Sequence, residues 1–311
     1  MPAWTTAQIP SQAGRTAVVT GATSGLGYET ALALAGAGQR VILASRNAAK
    51  GADMLDRIRA AHPQAEVSFE PLDLASLASV AACAERIATA VPRLDLLVNN
   101  AGVMAIPTRL VSADGFEMQF AVNYLGHFAL TLRLLPQILA AAAPRVVSLS
   151  SILYRGGRIA FDDLQSERHY GARPAYQQSK LAMLMFSLEL DRRARAAGWK
   201  LLSNAAHPGY ARTGLQSTGP RMGRPGGFSV LRLFSKLLEP IASQSAADGA
   251  LPILYAATVP EAEGGVMYGP DGFYELKGMP RKTKILPHAL VRADWLRLWE
   301  VSERLTGVPA G

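Results

Sequence analysis

The sequence predicts an α/β fold, a doubly wound parallel sheet of about seven strands with a C-terminal substrate-side lid. Three observations carry that expectation. Short β-branched apolar runs alternate with longer small-residue segments from Arg15 to Ala206, the runs are continuously apolar, and a glycine-rich turn follows the first run directly. Continuous hydrophobicity suits strands covered on both faces. Alternation of strand and helix implies right-handed crossovers with helices on either side of the sheet.

In chain order the strands are expected at Thr16–Thr20, Arg40–Ser45, Glu66–Pro71, Leu94–Asn99, Arg145–Ser150 and Lys200–Ala206, with Gly264–Gly269 as a further candidate. Gly27–Ala37, Ala48–Ala61, Leu74–Ala90, Gly115–Ala142 and Ala175–Ala197 have the length and composition of helices. Two regions break the rhythm, Ile152–Arg173 and Thr213–Gln244. The second is rich in Gly and Pro, then apolar with basic insertions (Leu231, Phe234, Leu237 and Leu238 with Arg232 and Lys236). Such insertions at strand ends shape the substrate side of a crevice, so 213–244 is read as a lid. A helix docking its Leu/Phe face on the body is the other reading. The chain is taken as a single domain over 1–311. It has an N-terminal extension at 1–14 and a C-terminal tail at 276–311 whose Trp295 and Trp299 pack one helix face on the body.

Composition narrows the function classes. Of 311 residues 49% are apolar and 18% charged, which allows a large core. The lone Cys83 excludes a disulfide framework or a multi-cysteine metal site, and no His, Asp and Glu grouping has metal spacing. A net charge of +8 invites a nucleic-acid reading, but the basic residues are scattered without interleaved aromatics. No apolar leader precedes the first strand and no long uncharged apolar stretch appears, so a cytoplasmic chain without a transmembrane segment is expected.

The turn Thr20-Gly21-Ala22-Thr23-Ser24-Gly25-Leu26-Gly27 leads from a strand into a helix. Glycines here let the backbone approach a pyrophosphate, whose charge is favoured by free N–H groups at the helix start. A plain tight turn is the alternative; the position after the first strand favours a dinucleotide and a Rossmann-type sheet. The second strand ends Ala44-Ser45-Arg46 with no carboxylate for a ribose hydroxyl. Arg46 instead offers a cationic fork suited to a 2′-phosphate, so NADP(H) is the expected cofactor. Otherwise Arg46 simply faces solvent.

Tyr176-Gln177-Gln178-Ser179-Lys180 places a phenol and an ammonium four residues apart, on one helical face. A nearby cation lowers a phenol's pKa toward working pH. Ser150-Ser151 at a strand end adds a hydroxyl able to bond a developing oxyanion. A surface coincidence of Tyr and Lys is the alternative.

With Asp73-Leu74, Asn99-Asn100-Ala101-Gly102, Asn123 and Pro208-Gly209-x-x-x-Thr213, these motifs stand in the order of the short-chain dehydrogenase/reductase superfamily, which the chain resembles over about 15–275. Gly102-Val103-Met104, Asp114-Gly115-Phe116-Glu117, Asn123-Tyr124-Leu125-Gly126-His127-Phe128 and His207-Pro208-Gly209 resemble its retinol dehydrogenase-like branch, which favours NADP. The resemblance implies that Gly21, Ser24, Gly25, Leu26 and Gly27 cradle the pyrophosphate. Asp73 with Leu74 would hold the adenine, and Asn100, Ala101 and Gly102 would line the adenosine side. Tyr176 would be the general acid/base, Lys180 would bind the nicotinamide ribose, Ser151 would polarise the substrate, and Asn123 would anchor a relay water. Pro208, Gly209 and Thr213 would fix the nicotinamide. His127 and His207 read as packing or loop residues.

The expected reaction is NADP(H)-dependent interconversion of a carbonyl and an alcohol on an apolar small molecule. Reduction of a C=C bond, and a non-catalytic NADP(H)-binding sensor or scaffold, are the rival functions. A homodimer is compatible with the sequence; nucleic acid is not an expected partner.

Overall fold

The computed structural model describes residues 4–211 and 243–309. One sheet carries β1 (Thr16–Thr20), β2 (Arg40–Ser45), β3 (Val67–Pro71), β4 (Leu96–Asn99), β5 (Arg145–Leu149), β6 (Leu202–Ala206), β7 (Met267–Pro270) and β8 (Pro280–Thr283). The order across it is β3-β2-β1-β4-β5-β6-β7-β8. Every neighbouring pair is parallel except β7 and β8. Chain order reverses between β1 and β4, and a crevice opens beyond their carboxyl ends, where such folds bind ligands.

The continuous apolar runs are explained by the pleat. Ala17, Val19, Val41 and Leu43 face one core layer, while Val18 and Ile42 face the other. Helices α1 (Gly25–Gly36) and α2 (Ala48–Ala61) cover the first layer. Helix α3 (Leu77–Ala90) covers the second.

The stretch expected as one helix over Gly115–Ala142 is interrupted. It comprises α4 (Met118–Phe120), a π-helical turn at Ala121–Leu125, α5 (Gly126–Arg133) and α6 (Leu135–Leu139). Pro136 has no N–H for an i−4 bond, which accounts for the break before α6. The long α7 (Ala172–Ala196) follows, then α8 (Ala246–Thr258) and α9 (Arg292–Thr306). Trp299 of α9 stacks on Phe186 at 5.7 Å and meets Phe128 edge-on at 5.1 Å, while Arg193 lies 4.2 Å above the indole. Trp295 is only partly buried and donates to Ala289 O at 2.7 Å. At the other end of the chain Trp4 packs edge-on against Tyr255 at 5.3 Å.

The sheet is one strand wider than expected, because β8 lies in the segment read as a packed tail. Its sequence Pro-Arg-Lys-Thr carries no apolar run to announce it. The expected lid lies outside the described residues except for Ser243 and Gln244. Among the described residues no helix is long and apolar enough to cross a membrane.

Candidate active site

The end of β1 is a hydrogen-bond hub. Thr20 Oγ1 accepts from the N–H groups of Asn100 (2.9 Å) and Ala101 (3.0 Å) and lies 2.9 Å from His127 Nε2. His127 Nδ1 sits 3.3 Å from the Asn123 carbonyl oxygen, which can only accept. The ring therefore carries its proton on Nδ1 and takes one bond from the Thr20 hydroxyl. Burial holds His127 neutral, with its pKa pushed down to about 3. Asn100 Nδ2 donates to Thr20 O at 2.7 Å, tying β4 to β1. Both histidines singled out by the sequence, His127 and His207, are fully buried.

The glycine turn is built for close approach. Gly21 has φ of 66°, and a Cβ there would lie 2.8 Å from Ala101 Cα. Ser24 precedes α1 without a side-chain cap, so the first N–H groups of this twelve-residue helix have no side-chain acceptor from it. By contrast, Asn47 caps α2 and Ser76 caps α3. The exposed Arg46 and Lys50 stand beyond β2, and neither has an ion pair among the described residues. Asp73 Oδ1 accepts from Ala75 N at 3.0 Å.

Asn123 falls in the π-helical turn, a local widening often found at functional sites. Its Oδ1 accepts from Val103 N at 2.7 Å, and its Nδ2 donates to Val103 O (2.9 Å) and Ser179 Oγ (2.8 Å). The side chain thus clamps the strip after β4 to α7.

Tyr176 and Lys180, one turn apart on α7, are both almost wholly buried. Lys180 Nζ donates to Leu149 O at 2.9 Å and lies 5.9 Å from the Tyr176 ring centre. Burial pushes Tyr176 up to about 12, opposed by a hydrogen bond with Ser151. Burial pushes Lys180 down to about 8. The sequence leads one to expect a cation drawing the phenol down; desolvation dominates instead. Ser150 Oγ donates to Lys180 O at 2.8 Å, which leaves Ser151 as the hydroxyl that meets the phenol.

Beyond β6, Gly209 has φ of 60°, and a Cβ there would collide with the carbonyl of Leu276. Tyr210 N donates to that same carbonyl at 2.7 Å. Thr213 lies outside the described residues.

These parts surround one cleft of about 620 Å³. It is lined by the glycine turn, Arg46, Asp73, Leu74, Asn100, Ala101, Gly102, Ser151, Tyr176, Lys180, Pro208 and Gly209. Asn123 stands behind Gly102, where a Cβ would come within 3.0 Å of its Oδ1. The structure adds lining residues that the sequence reading missed. Lys50 is four positions past Arg46, a spacing that could have signalled it. Met104, Met118, Val122, Ile152, Leu153 and Leu276 form an apolar wall that no local pattern marks. Among the described residues no His, Cys, Asp and Glu cluster could hold a metal.

The sequence pattern of the short chain dehydrogenase family matches residues 15–222. Mouse polyprenol dehydrogenase is 41% identical over 97% of this chain and 87% of its own length. Human retinol dehydrogenase 13 is 40% identical over 97% of this chain and 88% of its own. An uncharacterised protein from Mycobacterium paratuberculosis superposes with a TM-score of 0.79 at 37% identity, covering 99% of both chains. The NADP complex of RhlG from Pseudomonas aeruginosa superposes with a TM-score of 0.66 at 26% identity, covering 86% of this chain and 98% of that one.

Proposed function

Because this chain belongs to the short-chain dehydrogenase family, in its retinol dehydrogenase-like branch, we propose that it interconverts a carbonyl and an alcohol on an apolar small molecule with NADP(H). The observation that carries the reading is the meeting of the Tyr176 phenol with the Ser151 hydroxyl, one helical turn from the Lys180 ammonium, inside the glycine-edged cleft.

The residues present fit the cofactor. The start of α1, uncapped by Ser24, offers its N–H groups to a pyrophosphate. Arg46 and Lys50 would hold a 2′-phosphate, and no carboxylate at the end of β2 repels it. Asp73, whose Oδ1 is bonded to Ala75 N, would take the adenine amino group. The NADP found in the RhlG complex supports the same choice. When bound, NADP(H) supplies or accepts the hydride.

The chain's own groups handle the oxygen and the proton. In the direction of reduction Tyr176, protonated at neutral pH, gives its proton to the substrate oxygen while Ser151 Oγ donates a hydrogen bond to it. Lys180 stabilises the tyrosinate left behind. Asn123 holds Val103, and with it the cleft wall, against α7. The wall from Met104 to Leu276 suits an apolar body, in keeping with the alcohols named for the polyprenol and retinol dehydrogenases.

Fluorescence titration with NADPH and NADH on the wild type and Arg46→Ala tests the cofactor. Loss of a charge-assisted phosphate contact is expected to weaken NADPH about 10- to 100-fold and leave NADH unchanged. Equal binding of the two by the wild type would remove the 2′-phosphate assignment. A product-resolved screen of hydrophobic carbonyls with NADPH then tests the chemistry; turnover only of C=C bonds would overturn it.

A further inference from the structure

Outside the groups already given roles, one polar chain around the buried His207 joins both lips of the cleft. Glu275 Oε2 accepts from the Arg155 guanidinium at 2.7 Å and lies 3.0 Å from His207 Nε2. His207 Nδ1 lies 3.3 Å from Gly209 N, which can only donate. His207 Nδ1 is therefore the acceptor, and its proton sits on Nε2, directed at Glu275. His207 is fully buried and Glu275 partly so. Gly269 passes so close to the imidazole that a Cβ there would collide with it.

The backbone shows how firmly Glu275 is held. Tyr274 and Glu275 have φ of 49° and 58°, a left-handed conformation that non-glycine residues adopt at a cost. Such strain persists where surrounding bonds over-determine it. Here those bonds are the ion pair, the histidine contact and the Tyr210 N–H to Leu276 O bond.

We propose that Glu275 is a positioning residue that locks His207 in its Nε2–H form and so ties the Pro208–Gly209 strip to the loop after Ser151. Arg155 stands in the short turn Ile152–Gly156 that begins immediately after Ser151, and Gly209 lines the cleft beside Pro208. One carboxylate oxygen thus sets the spacing between the strip that faces the cofactor and the hydroxyl that faces the substrate. A proton on Nδ1 instead would face the Gly209 N–H, donor against donor, and loosen the strip. The proposal rests on the carbonyl-reducing reading of the cleft, and one arm of its test does not.

Two variants, Glu275→Ala and Glu275→Gln, separate the lock from bulk stability. Because both bonds fall on Oε2, glutamine with its amide oxygen in that place keeps them. Long-range ¹H–¹⁵N NMR of the cofactor-free chain should show His207 as Nε2–H in the wild type and Glu275→Gln, and as a mixture in Glu275→Ala. A displaced strip should lower kcat about 10- to 100-fold in Glu275→Ala, with the NADPH Kd and carbonyl KM within about 3-fold, and Glu275→Gln should restore most of the rate. A wild-type tautomer or wild-type kcat in Glu275→Ala would overturn the proposal. So would a parallel loss of kcat, Kd and melting temperature in both variants, the mark of a merely structural group. If the wild type binds no dinucleotide, the proposed function falls while the NMR arm still decides whether Glu275 sets the tautomer.

Discussion

The two halves of α7 are built on opposite terms. Its first half puts Tyr176 and Lys180 under cover: burial raises the phenol and depresses the ammonium, whose Nζ donates to Leu149 O. Its second half presents Phe186 to Trp299 and Phe128, and pairs the buried Glu189 with Arg192 and Arg193 at 2.7 and 2.8 Å. One half holds ionisable groups at an energetic cost, and the other recovers stability through aromatic packing and satisfied charge. The helix can carry a reactive pair because its far end is anchored.

The contrast is sharpened most by Tyr176→Phe, which keeps the ring and removes the proton donor. Its kcat should fall by about 10²- to 10⁴-fold with the melting temperature held or raised, measured by steady-state kinetics and thermal scans. Lost stability with retained activity would dissolve the division. Trp299→Ala should do the reverse, losing about 3–5 kcal/mol of unfolding free energy in urea while the folded enzyme keeps its kcat. Among the described residues the indole N–H has no hydrogen-bond partner, so that loss is one of packing and of the Arg193 contact over the ring.

Lys180→Met should give the smallest change in stability, a gain of about 1–3 kcal/mol at pH 7, while activity is lost. Lys180 titrates near 8 when folded against an ordinary 10.5. Between those values the unfolded chain binds more protons, so wild-type stability rises with pH and the variant's advantage shrinks. Urea unfolding at pH 7 and pH 10 checks the sign; an advantage that grew with pH would contradict the burial argument.

Local patterns made much of this legible. Strands such as Ala17-Val18-Val19 are apolar on both faces because each face meets a helix layer. Tyr176 and Lys180 share a face because they stand four apart on a helix. The illegible parts depend on distance or on an absent signal. Glu275 meets His207 across 68 residues, and its left-handed backbone is not written in its residue type. The π turn at Ala121–Leu125 lies within a stretch whose composition reads as plain helix. β8 has only Pro280 and Thr283 buried, too little apolar content to declare a strand.

That last strand bears on assembly. A sheet edge normally displays a row of donors and acceptors on which another chain can extend the ladder. Here the edge begins with Pro280, which has no donor to give, and continues through the exposed Arg281 and Lys282. A second copy arriving edge-on in the antiparallel sense would meet this Arg281 and a Lys282 already paired with Glu263 at 2.8 Å. Among the described residues β8 is the last strand on that side, and its proline leaves the outer edge one donor short for any ladder that would extend it.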